Sequence, residues 1–207
     1  SRQFAINIIN HEFAHIHENN LSKEITWIND YKKEPQKLQS LYMCFAQSVW
    51  GEYFANRKAS SSYPFSETDI IELPETIKNI ENDIINKRHE YNLWNLSIDD
   101  FIYYFLENTS FIMKKVASIH GNIFLFNQEE REEIIVYLEG KLESTRMQTL
   151  LCEIGVALDK LYSLFPKWES EIVFNEMITI ITTYFARFHV YPIETPEGIY
   201  YSIPYLT

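Results

Sequence analysis

The chain has 207 residues, 46% of them hydrophobic, enough for a core and for one domain or one domain with an appended part. Its formal net charge is −11, from 18 Lys and Arg against 29 Asp and Glu, which argues against direct nucleic-acid binding. No run of about 18 uncharged apolar residues occurs, so no membrane span is expected, and two cysteines, Cys44 and Cys152, suggest buried thiols in a reducing cytoplasm.

The first predicted element carries the chemistry. Phe4, Ala5, Ile8, Ile9, Phe13 and Ile16 recur near helical spacing and read as the buried face of an amphipathic helix. Within it, His11-Glu12-Phe13-Ala14-His15 has the pattern H-E-x-x-H. A helix turns about 100° per residue, so His11 and His15 lie one above the other and can hold one Zn²⁺. Glu12 lies beside them, placed to act as general base toward a metal-activated water. His17 falls about 200° beyond His15 and cannot share the site.

A catalytic zinc site needs a third protein ligand. After a polar stretch, Ser22–Ser40, with a short helical piece near Glu24–Asn29, a second helix is predicted over Leu41–Ser60. Glu52 on it is the best third ligand. Asn56, four residues on, shares its face and can orient Glu52 or a ligating His by hydrogen bonding.

H-E-F-A-H followed by E-x-x-A-N-R-x-A resembles the ImmA/IrrE-type bacterial metallopeptidases, within the gluzincin group. Glu52, Ala55, Asn56 and Ala59 match that pattern, Lys58 stands where Phe is usual, and the gap of 37 residues (52 − 15) implies an insertion around Ser22–Gln39. The likeness covers about residues 4–65. It implies zinc on His11, His15 and Glu52, Glu12 as catalytic base, and a protein or peptide substrate, a regulatory protein by analogy. Zincin folds of this kind place a small sheet before the H-E-x-x-H helix, and its edge strand pairs with substrate. Only ten residues precede His11 here.

Ser60-Ser61-Ser62-Tyr63-Pro64 reads as a linker. Beyond it Ile70, Leu73, Ile77, Ile80, Ile84 and Tyr91 form a heptad-like seam for an intramolecular helix pair, with Pro74 in the first turn of the main helix. Ser97 with Asp100 and Asn127 with Glu130 read as caps of two further helices, which makes Asp99-Asp100 and Glu129-Glu130 dipole-favoured first-turn residues rather than acid–base pairs. Phe101, Tyr103, Tyr104, Phe105 and Phe111 read as core. Helices are expected over Met147–Leu164, ended by Pro166, and over Trp168–Phe188.

The tail reads as a β-hairpin of edge or isolated strands. It is the candidate for the missing substrate strand, and His189 within it is the candidate oxyanion donor. The expected fold is mainly α: a zincin-like metal-site region at 1–65, a helical bundle at 66–188 and a small C-terminal β-hairpin at 189–207, together one compact domain. Two functions compete, a cytoplasmic zinc metallopeptidase and a non-catalytic zinc-binding interaction module. A fourth protein ligand at the metal would favour the second.

Overall fold

The computed structural model describes residues 2–31, 33–62 and 67–205. The fold is mainly α, with one two-stranded antiparallel hairpin near the C-terminus. Helix α1 spans Arg2–Ser22, the short α2 Ile28–Tyr31 and α3 Leu38–Ala59. The helical piece expected near Glu24–Asn29 therefore forms a few residues later. Helix α4 spans Glu67–Asn92, α5 Ile98–Asn122, α6 Gln128–Lys141, α7 Leu151–Leu164 and α8 Asn175–Arg187. Strands β1 (Tyr191–Thr195) and β2 (Gly198–Ser202) pair in register, Tyr191 opposite Ser202. Of the expected linker, Ser60–Ser62 forms a 3₁₀ turn, and residues 63–66 lie outside the described set.

Helix α3 is the axle. Met43, Ala46, Val49, Trp50, Tyr53 and Ala55 are fully or almost fully buried along it. Near its C-terminal half, Trp50 packs edge-on to Trp168 at 5.0 Å and Phe54 packs on Phe165 at 5.3 Å. Near its N-terminal half, Phe45 meets Phe185, which in turn meets Phe105 at 4.9 Å. On the α5 side the approach is closer still. A Cβ on Gly121 would sit 2.6 Å from the Tyr53 carbonyl oxygen and 3.0 Å from Asn56 Cβ, so only glycine lets α5 cross α3 there.

The caps act as their chemistry requires. Asp100 N–H donates to Ser97 Oγ at 3.1 Å, and Asn127 and Glu130 close a full capping box, both bonds 3.0 Å. The α4 seam packs inside the chain, with Leu73, Ile77 and Ile84 buried. Pro74 lies well inside α4 rather than in its first turn. It deprives the Ile70 carbonyl of its helical donor. In α5, Phe101 and Phe105 are core, whereas Tyr103 and Phe111 are exposed.

The last long helix begins at Asn175, not Trp168. Trp168 Nε1 donates to the Leu161 carbonyl and its own carbonyl accepts from Trp27 Nε1, which holds this segment out of helical register. The two cysteines are free and exposed, so the expectation of buried thiols fails. No helix among the described residues is long and apolar enough to cross a membrane.

Candidate metal centre

The two histidines come from α1 and the carboxylate from α3. How α1 sits decides whether they meet. Of the apolar series expected to be its buried face, Ala5, Ile8, Ile9, Ile16 and Phe13 are exposed instead, the last 62% accessible, and Ile6 beside them is exposed too. The Phe4 side chain lies outside the described set. The face turned to α3 carries Asn7, His11, Ala14 and Glu18, spaced four, three and four apart. Asn7 Nδ2 donates to the Ala59 carbonyl at 3.1 Å, Ala14 is only 6% accessible, and Glu18 Oε1 accepts from Trp50 Nε1 at 3.2 Å. Ser22 Oγ also donates to that Glu18 oxygen, at 2.7 Å. Hydrogen bonds to α3 thus orient α1 where hydrophobic periodicity points the other way.

With α1 so turned, His11 and His15 bring their Nε2 atoms to 3.0 Å from each other, their rings nearly perpendicular. Glu52 Oε1 lies 3.6 Å from His11 Nε2, and Oε2 lies 4.0 Å from His15 Nε2. Donors on a tetrahedral zinc at about 2.05 Å stand roughly 3.3 Å apart; the two imidazoles are near that spacing, and Glu52 turns one oxygen toward each of them. These three residues could hold a metal ion, and among the described residues no fourth His, Cys, Asp or Glu joins them. Each is half-buried. Burial lowers the His11 imidazole below its ordinary 6.5, assisted by His15 and opposed by Glu52 and Glu12. The neutral, metal-binding form is thereby favoured.

Asn56 does what its spacing suggests. Its Nδ2 donates to Glu52 Oε1 at 2.9 Å and to the Glu52 carbonyl at 2.8 Å. Asn56 Oδ1 in turn accepts from Asn122 Nδ2 at 3.3 Å. Asn122, at the end of α5, gave no signal in the sequence as part of this site. It arrives because Gly121, its neighbour, permits the close crossing onto Asn56. Glu18 was findable, since it stands seven residues after His11 on the same helical face.

Glu12 is exposed, one step around the helix from His11. His17 lies against Phe54, ring centroids 6.3 Å apart, away from the metal ligands. His189 is not brought to the site. It closes α8 in the left-handed region, φ 54°, its N–H donating to the Ala186 carbonyl, with Tyr191 Oη 3.5 Å from its Nδ1. The hairpin begins beside Tyr42, and Glu194 accepts from the Leu38 N–H at 2.8 Å, at the N-terminus of α3. Glu52 is 10 to 14 residues further along, about 15–20 Å of helix. The tail strands are thus anchored at the far end of α3 from the metal ligands.

No family model matches the chain, and neither a curated protein nor a solved structure matches it. The functional reading therefore rests on the chemistry of the site.

Proposed function

We propose that the protein is a zinc-dependent hydrolase of peptide bonds, with His11, His15 and Glu52 as metal ligands and Glu12 as general base. The observation that carries this reading is the convergence of two imidazoles and one carboxylate from separate helices, with no fourth protein donor among the described residues. Three protein ligands are the catalytic count, whereas structural zinc sites use four. Zn²⁺ held there would supply Lewis acidity, polarising a carbonyl and lowering the pKa of water toward about 7.

The chain's own groups do the rest. Asn56 fixes the Glu52 carboxylate through Oε1. Glu12, exposed beside His11, is free to take a proton from the attacking water and return it to the leaving amine. The resemblance to ImmA/IrrE-type metallopeptidases agrees with this ligand set and suggests a regulatory protein as substrate. The free state of Cys44 and Cys152 suits a reducing, cytoplasmic setting.

Elemental analysis of protein refolded with zinc should give one Zn per chain, lost in His11→Ala and in Glu52→Ala. Glu12→Gln should retain zinc and lose cleavage of a fluorogenic peptide library. Full zinc occupancy in the Glu52→Ala chain would rule out this ligand set. Undiminished cleavage by Glu12→Gln would rule out the base.

A further inference from the structure

A second concave site, independent of the metal ligands, lies between the end of α5, helix α6 and helix α7. Its volume is about 400 Å³, within the range of pockets that take small molecules. The lining is largely apolar: Ile123, Phe124, Ile135, Val136 and Val156. Val156 and Val136 are 62% and 68% accessible, so the groove offers apolar surface to a ligand from solvent.

One wall is built around His120. Its Nε2 donates to the Leu151 carbonyl at 2.9 Å, which leaves Nδ1 as an acceptor in the neutral ring. Burial keeps that ring neutral by lowering its pKa, a shift the Leu151 bond and Asp159 only partly oppose. The ring has its place because residue 155 is glycine. A Cβ there would lie 2.4 Å from His120 Cε1 and 2.5 Å from Nδ1.

The charges around the groove are unequal. Asp159 is paired with Arg57 at 2.6 Å. Arg131 is drawn to the backbone, donating to the Phe126 carbonyl at 2.8 Å and to the Phe124 carbonyl, and it lies over the Phe124 ring. Arg131 keeps its charge there, and against it Glu139 and Glu132, which accepts from Gln128 Nε2 at 2.8 Å, leave the mouth one negative charge in excess. The Cys152 thiol senses that field: burial first, then the charges of Glu139 and Glu153, push its pKa up, so it stays a neutral wall element.

We propose that this groove binds a small organic cation, an ammonium group on an apolar arylalkyl body. The body lies against Ile123, Ile135 and Val156, and the ammonium sits between Glu139, Glu132 and the His120 acceptor. An anion of the same shape meets two carboxylates, Glu132 and Glu139, against the single Arg131 guanidinium.

Phenethylamine, 2-phenylethanol and phenylacetate form a matched cation, neutral and anion series for the full chain. Calorimetric titration at low ionic strength should show saturable binding of the amine, at least tenfold tighter than the alcohol, with phenylacetate weakest. The Glu132→Gln/Glu139→Gln chain should lose that tenfold preference. Val156→Trp, an exposed position whose larger side chain fills the groove, should abolish amine binding while circular dichroism and Tm stay as in the parent. Equal binding of the three probes, no saturable amine binding, or amine binding unchanged in a folded Val156→Trp chain would each overturn the proposal.

Discussion

Glu52 is held from one side by a chain of amides. Asn122 donates to Asn56, and Asn56 donates to the carboxylate. Groups that orient a ligand typically contribute 10- to 100-fold to metal affinity. Asn56→Ala should therefore weaken zinc binding by about 10–100-fold, measured by competition against a chelating dye. Asn122→Ala should weaken it by less than about tenfold, because Asn56 keeps both of its bonds to Glu52. Equal losses in the two variants would mean that Asn122 does more than steady Asn56. At this scale the sequence was legible wherever partners share one helix: His11 with His15, and Glu52 with Asn56, are four-residue spacings. Asn122 was not, because it meets Asn56 across 66 residues, and that meeting depends on a helix crossing that only the folded chain defines.

At the scale of elements, α1 separates two signals that usually agree. Ile6, Ile9, Phe13 and Ile16 have the three-four-three spacing of a core-facing stripe, yet they are exposed. Asn7, Ala14 and Glu18, a weaker pattern, face α3. The physical reason is that hydrogen bonds are directional. Asn7 to the Ala59 carbonyl and Trp50 to Glu18 fix the rotation of α1, whereas an apolar stripe specifies no partner. Adjacent substitutions discriminate the two orientations. Phe13→Ser should change unfolding free energy by no more than about 0.5 kcal/mol, as for an ordinary surface site. Ala14→Leu should cost about 1–3 kcal/mol by overpacking the α1–α3 interface. Urea denaturation of both variants measures the contrast, and the reverse order would require α1 to be rotated. Caps were the most legible features, since Ser97 with Asp100 and Asn127 with Glu130 satisfy orphan N–H groups through neighbours in the chain. The start of α8 was not legible, because Trp168 is held by Leu161 and by Trp27 from 141 residues away.

In the whole molecule the core is gathered around α3, α5, α7 and α8, and among the described side chains of α1 Ala14 is its one buried apolar contribution. Much of what fastens α1 is polar: two side-chain bonds to α3 and the convergence of His11 and His15 on Glu52. A helix fastened this way opens locally far more often than the core does. A metal ion bridging the two helices would act as a latch on that opening. Free zinc at a hundred times its Kd disfavours any state that cannot bind it by about 2.7 kcal/mol, roughly a hundredfold. Amide hydrogen exchange should report this directly. Amides in α1 are expected to slow by about two orders of magnitude on zinc addition, while those around Ile112, Met113 and Val116 in α5 change much less. The exchange rate of one surface helix then becomes a gauge of the zinc concentration around the protein.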